Sequence, residues 1–429
     1  MRTEPATPLA RRSRLRENIL SLSALQAASY LLPLLTVPYL VQVLGAEKYG
    51  LIAFAQAFLQ YFVVLTEYGF NLSASRDIAR HRDEPSMVAA IFSSVILTRA
   101  CLAAIGLGIL SLIVFSVPLF RADWSLYLVG YLAVVGAVIA PFWLFQGMER
   151  MRAVVIISVI GRLAAVFALF ILVRSPEDYR TALAIQAGTG VVIGVSCLVF
   201  ALTVLGVGWR RPSLRDIRDR LVEGRHLFAS SAAVSLYTNT NVFALGLIAG
   251  PTAAGYFSAA YKLVQAALRM VTPVTQSLYP HINAMAARSR DDALRFIRLS
   301  LRRIALGSLL LSLAIFFLAE PAVTLLYGKD FAPTVVALRW MAPLPFVIAV
   351  ATVLGEHTML TFGMQREFSR ILLKAGVLNV VLVVPLCYWL GAVGAAIASL
   401  MIEILIALAR SHVLRKGGYY LWSLERGYA

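Results

Sequence analysis

The 429 residues are 60% hydrophobic and 14% charged, a balance that would leave a soluble globule with more apolar surface than its polar residues could cover. The formal net charge of +17 is spread over many short segments and not gathered into one arm or domain, which argues against a nucleic-acid-binding protein. Cys101, Cys197 and Cys387 each lie in an apolar run, so neither a disulfide framework nor a zinc spacing is indicated and the thiols read as inert packing residues.

In chain order, Arg11, Arg12, Arg14 and Arg16 precede an apolar run over 19–44, much longer than the hydrophobic region of a cleaved signal peptide, which predicts a retained anchor. Further runs of about 20 apolar residues, the length of one membrane crossing, follow at 50–70, 88–117, 124–146, 153–173 and 181–207. A second set lies at 227–249, 255–281, 300–326, 334–361, 371–390 and 393–413. Nothing shows the period-two alternation of a barrel, so the expected fold class is an all-α membrane protein of about twelve transmembrane helices. The expected organisation is a basic N-terminus (1–17), a first six-helix lobe (18–208), a linker (209–226), a second six-helix lobe (227–414) and a tail (415–429).

Basic residues set the orientation. Taking alternate loops from the amino terminus, 29 of the 39 Lys and Arg residues fall on one side, 5 on the other and 5 inside helices. Both termini are therefore expected in the cytoplasm. A missed helix would exchange the sides of every later loop and destroy that asymmetry.

Shifting the chain by 205 residues lays Gly45–Gln60 over Gly250–Gln265, with Gly45, Gly50, Ala55 and Gln60 falling on Gly250, Gly255, Ala260 and Gln265. A second echo, Gly147-Met148-Glu149-Arg150 and Gly363-Met364-Gln365-Arg366, follows the fourth helix of each half. Six helices per half, both starting on the same side, imply parallel repeats related by an axis along the membrane normal.

The stretches Pro38–Gly50, Tyr68–Arg80, Trp143–Met151, Gly255–Ala266 and Gly391–Ala396 resemble the polysaccharide flippases called Wzx, and the likeness covers nearly all the chain. The resemblance implies the fold of the multidrug/oligosaccharidyl-lipid/polysaccharide exporter superfamily, with two lobes around a central cavity open alternately to each side. The implied location is the bacterial inner membrane, as a multi-pass protein. The implied cargo is an undecaprenyl-pyrophosphate-linked oligosaccharide bound for cell-surface polysaccharide, with membrane lipids and the polymerase and chain-length proteins of the same pathway as partners and no cofactor. One departure is Asn241, where the family pattern leads one to expect an Asp in the seventh helix.

Independently of the family, Ser258, Lys262, Gln265, Arg269, Thr272 and Gln276 recur at three- and four-residue steps, along one helix face. Gln56, Gln60, Glu67 and Asn71 do the same in the first half, and the shift lays Gln60, Glu67 and Asn71 over Gln265, Thr272 and Gln276. A charge at bilayer depth costs on the order of 3 kcal/mol, so such groups face water or a partner. The functional reading gives Lys262 and Arg269, with Arg99 and Arg162, to a pyrophosphate, and the amides to sugar hydroxyls. The alternative is that each base pairs with a buried acid such as Glu67 or Glu403 and only fixes helix packing. Glu67, Glu356, His357 and Glu403 are the groups able to take up protons for ion coupling. Arg339, near a helix end, reads as a snorkelling base.

Pro33, Pro38, Pro273 and Pro280 remove backbone bonds inside helices and are candidate hinges. Arg76 and Asp77 are candidates for a closing contact, or part of a solvated loop that only sets topology. A membrane-embedded glycosyltransferase or ligase is the rival class, disfavoured because no long periplasmic loop, metal box or nucleophile triad is present. Within the superfamily the rivals are a peptidoglycan-precursor flippase and a drug exporter, and the cationic line argues against the second.

Overall fold

The computed structural model describes the backbone from Pro8 to Leu421 and every side chain in that range except those of residues 8–31, 33, 34, 230, 233 and 237. The side chains of Arg2, Arg11, Arg12, Arg14, Arg16, Pro33 and Arg426 lie outside the described residues.

Among the described residues the chain is helical, with no strand. The first helix, α1 (Pro8–Glu67), has 60 residues, which as a straight rod would be about 90 Å long, three times the hydrocarbon core of a bilayer. It is broken at Gly45 (φ 71°, ψ 173°), a backbone state closed to other residues without strain. After it come α2 (Phe70–Arg80), α3 (Pro85–Ser116) and the short α4 (Pro118–Arg121). The interrupted rod α5 (Trp124–Gly130), α6 (Leu132–Ile139) and α7 (Phe142–Gly147) follows, then α8 (Met151–Leu172) and α9 (Tyr179–Thr203). The second half runs through α10 (Leu214–Ile248), α11 (Gly250–Ala286) and α12 (Arg290–Tyr327). A second interrupted rod consists of α13 (Ala332–Met341), α14 (Leu344–Thr352) and a π-helix (Val353–Leu360). The last helix, α15 (Gln365–Lys416), is divided by Gly391 (φ 53°, ψ −130°). The breaks at Gly45 and Gly391 fall where the sequence separates 19–44 from 50–70 and 371–390 from 393–413.

Eight helical segments among the described residues are long and apolar enough to cross a membrane. The 37-residue α11 is not one of them, because its polar residues recur along the whole length. The many exposed apolar side chains, such as Phe167, Phe317 and Leu325, are ordinary for a chain whose solvent is lipid.

The chain divides into two compact units, one formed by residues up to Leu44 with Ala55–Ala232, the other by Gly45–Phe54 with residues from Ala233 on. The expected linker 209–226 thus lies within the first unit, and ten residues from the start of the second helix lie within the second. In the first unit Phe70, Ile78, Phe92, Trp143 and Phe145 share a core with α9 through Ile193 and Cys197. In the second, Ile282, Ile297, Leu301, Val353 and Met359 form the corresponding cluster.

The internal repeat has a structural signature inside the second unit. Gly45 and Gly250 both adopt left-handed backbone (φ 71° and 85°) at the start of their helices. A Cβ on Gly50 would overlap the Pro251 carbonyl, and one on Gly255 would overlap the Ala46 carbonyl. Since Ala46 and Pro251 are themselves related by the shift of 205, the two helix starts cross reciprocally, with a glycine on each side permitting backbone to approach backbone.

Candidate functional site

The polar line on α11 is present as spaced, with its members in different surroundings. Lys262 and Gln276 are exposed, Gln265, Arg269 and Thr272 are half-buried, and Ser258 is buried. Lys262 and Arg269 lie two helical turns apart, about 10 Å along the axis. The Gln265 side chain hydrogen-bonds with the Tyr261 hydroxyl, while the Thr272 hydroxyl turns back to the Leu268 carbonyl at 2.9 Å and is therefore engaged with its own helix. Pro273 and Pro280 lie inside α11. Neither has an N–H to give the carbonyl four residues earlier, and those carbonyls belong to Arg269 and Gln276, two members of the line.

Asn241, the departure noted in the sequence, is the centre of a polar cluster in the second unit. Its Nδ2 donates to Ser399 Oγ (2.7 Å) and its Oδ1 accepts from Asn379 Nδ2 (2.8 Å). These residues border a cavity of about 180 Å³ together with Thr238, Tyr261 and Glu403. An amide both donates and accepts, so Asn241 joins a hydroxyl and a second amide where an ionised acid could only accept. Sequence reasoning missed Ser399 and Asn379 because their partner, Asn241, lies on another helix, and spacing within α15 does not reveal it.

Other predicted site residues are placed differently from the reading of the sequence. Arg99 is 2% exposed and donates to the carbonyls of Ala137 (2.7 Å) and Ala140 (3.5 Å). The Ala137 carbonyl is the one a helical N–H at position 141 would satisfy, and residue 141 is proline. Arg99 thus supplies the donor that Pro141 lacks, with Glu67 acting on its charge from a distance. In this geometry its guanidinium serves the backbone of the neighbouring interrupted helix. Glu67 is half-buried at the end of α1. Asn71, half-buried on α2, is not in continuous helical register with Gln60 and Glu67, because the backbone turns left-handed at Tyr68 (φ 45°) and Gly69 (φ 78°). Gln56 pairs with Gln186 of α9 at 2.9 Å, Gln60 is half-buried, and Arg162 is half-buried midway along α8.

Glu356 and His357, adjacent in sequence, do not act as a pair. His357 is 1% exposed, bonds to the Thr275 backbone and stacks on Tyr279, while Glu356 is exposed on the other side of the π-helix. Arg410, in the last two turns of α15, is 6% exposed. It donates to the Ala351 carbonyl at 2.6 Å and lies over the Phe368 ring at 4.7 Å. Gly355 makes room for it, since a Cβ there would meet the guanidinium. Arg339 is exposed, pairs with Glu320 at 3.4 Å and lies 6.0 Å from the Phe316 ring. Pro38 is half-buried within α1.

Arg76 and Asp77 belong to a four-residue ionic network inside the first unit. Arg76 pairs with Glu223 (2.8 Å), and Arg220 pairs with Asp77 (2.6 Å) and Glu223 (3.2 Å), while Arg76 to Asp77 is 3.8 Å. The network ties the 220–223 segment to α2. Nearby, the Ser213 N–H and hydroxyl hold the Asp216 carboxyl below its usual range, forming the cap of α10.

These features define a multi-pass membrane protein with the fold of the MOP-superfamily transporters. A solved structure titled lipid II flippase MurJ, inward closed conformation, superposes with a TM-score of 0.75 over 92% of this chain and 87% of that one, at 12% identity. The family model described as polysaccharide biosynthesis protein matches residues 15–286, and the chain belongs to that family. The putative O-antigen transporter of Escherichia coli K12 is 36% identical over 392 residues, 91% of this chain and 94% of that protein. The putative O-antigen transporter of Shigella dysenteriae is 30% identical over 404 residues, 92% and 98% of the two chains.

Proposed function

We propose that this protein moves an undecaprenyl-pyrophosphate-linked oligosaccharide from the cytoplasmic to the periplasmic leaflet of the bacterial inner membrane, exposing one polar line alternately to each face. The observation that carries the reading is the pair Lys262 and Arg269 on the single line of α11, in a chain of the polysaccharide biosynthesis family whose full-length relatives are named O-antigen transporters. In this reading Lys262 attracts the pyrophosphate as a point charge and Arg269 orients it through its planar fork. Gln265 and Gln276 offer both donors and acceptors to sugar hydroxyls. Pro38 and Pro273, each lacking the N–H of a helical turn, would let the helices flex between the two exposures.

The orientation follows the basic loops, with both termini cytoplasmic and about twelve crossings, and the delivered glycan passes to the polymerase and chain-length proteins of its pathway. Of the four groups considered for ion coupling, Glu403 borders the cavity beside Asn241, and it is the acid assigned to proton uptake. A cationic line disfavours cationic drugs as cargo. A peptidoglycan precursor would present the same pyrophosphate and differ only in its sugars.

The test is complementation of a strain lacking its own flippase by Lys262→Ala, Arg269→Ala and Arg339→Ala at equal expression. A charge-assisted contact to phosphate contributes about 1.5–3 kcal/mol, so each of the first two should fall by about tenfold or more. Arg339→Ala should stay near wild type. Full activity of both Lys262→Ala and Arg269→Ala would remove the assignment.

A further inference from the structure

The proposed transport site makes no use of a second, larger cavity in the first unit. It has a volume of about 390 Å³ and opens between the first two turns of α3 and the segment entering α10. Its floor is closed chemistry, since Arg220 and Glu223 are engaged in the ionic network and Arg220 also reaches Ser94 Oγ at 3.3 Å. The rim differs. Arg210, Arg211 and Asp219 are exposed, and none of them forms an ion pair among the described residues.

Two guanidinium groups and the Asp219 carboxylate therefore face one pocket without an ion pair, while the other rim carboxylate, Asp216, is held by Ser213 and acts on Arg210 from a distance. The third wall is apolar, made by Met87, Ala90 and Ile91 at the start of a membrane-spanning helix. Trp209, 54% exposed with its ring 6.2 Å edge-on to Phe92, stands beside the pocket, in the manner of tryptophans at a membrane surface. The Arg210 N–H is held by Ser93 Oγ at 2.9 Å, fixing the start of the segment against α3. A pocket at the membrane surface with both signs of charge and an apolar wall has the chemistry of a zwitterionic phospholipid headgroup.

We propose that this cavity binds phosphatidylethanolamine, with its phosphate on Arg210 and Arg211, its primary ammonium on Asp219, and the upper acyl chain against Met87 and Ala90. The ammonium is the selective part. It donates hydrogen bonds to a carboxylate, whereas the trimethylammonium of phosphatidylcholine cannot and phosphatidylglycerol has no positive group. Arg–phosphate pairing alone would favour any anionic lipid.

The experiment is competitive lipid retention on the purified full-length protein, read by native mass spectrometry with dioleoyl phosphatidylethanolamine, phosphatidylcholine and phosphatidylglycerol added in equal amounts. Phosphatidylethanolamine should be retained about fivefold over the other two, the effect of one charge contact at a membrane surface. Asp219→Asn should abolish that preference while leaving phosphatidylglycerol retention unchanged. Arg210→Ala with Arg211→Ala should lower phosphatidylethanolamine and phosphatidylglycerol alike. All three positions are exposed, so an unchanged melting temperature will show that the variants fold. Equal retention of the three lipids, or a phosphatidylglycerol preference indifferent to Asp219→Asn, overturns the proposal.

Discussion

Residues 46–80 and 251–285 begin with the same turn and the same glycine crossing, then part company. In the first copy the backbone leaves the helix at Tyr68 and Gly69, whereas in the second the matching position is Pro273 and α11 continues through it. The charges differ as well. Lys262 and Arg269 overlay Ala57 and Val64, so the cationic line exists in one copy only. The shared part is what backbone packing demands of both helices. The divergent part concentrates charge in one copy, where the proposed site lies, and leaves the other free to break and change direction. Neither feature follows from the repeat itself, which fixes only how the copies start.

Gly50→Ala and Gly255→Ala test the shared part and carry the largest expected effect. Each new methyl meets a backbone carbonyl, which no change of rotamer relieves, and overpacking of this kind costs about 1–3 kcal/mol. Gly108, where an added methyl would meet nothing within 4 Å, is the control. Thermal melting of the full-length protein in detergent should show both glycine variants lowered by similar amounts and Gly108→Ala unchanged. If all three melt together with wild type, the reciprocal crossing is refuted.

A smaller effect distinguishes the interrupted fourth helices of the two halves, where Arg99 serves a proline break and Arg410 a π-turn. Removing Arg99 leaves the Ala137 carbonyl without its short bond, at about 1 kcal/mol, the 3.5 Å contact to Ala140 being too long to add to it. Pro141→Ala returns an N–H to the Ala137 carbonyl, so Arg99→Ala should cost less in that background, by about 1 kcal/mol. Transport per folded molecule should be unaltered by Arg99→Ala. Loss of transport at unchanged stability would instead return Arg99 to the substrate path.

Much of this was legible in the residues. Apolar runs showed an all-helical membrane chain, and the gaps they left at 44–50 and 390–393 coincide with the breaks at Gly45 and Gly391, where a left-handed backbone selects glycine. The α11 line was legible because its polar residues keep helical spacing. The packing partners of Arg99 and Arg410 were not legible, for a common reason. A single buried arginine is explained by a carbonyl on another helix, at Ala137 or Ala351, and spacing within one helix carries no information about that partner. The Asn241, Asn379 and Ser399 cluster was hidden in the same way, with one member on each of three segments. The ionic network escaped because Arg220 and Glu223 read as members of a solvated linker.

The smallest effect concerns the segment after the break. α2 carries Asp77 and Arg76, both tied to residues 220–223, whereas the matching stretch 275–285 of α11 contains no acid, lysine or arginine. If the ion pairs compensate for the interrupted helix, the better-shielded pair should matter more. The Arg220 and Asp77 side chains are 20% and 16% exposed, against 54% for Arg76. Arg76→Ala should cost about 0.5 kcal/mol or less, as exposed pairs do, and Arg220→Ala about 1–2 kcal/mol after allowance for screening. Hydrogen exchange is the suitable measurement, because it resolves one segment at a time. Arg220→Ala should raise exchange across Phe70–Arg80 and leave 275–285 as in wild type, while Arg76→Ala should change both little. Equal acceleration in the two segments, which belong to different units, would mean that Arg220 acts on global stability and not on the break at Tyr68 and Gly69.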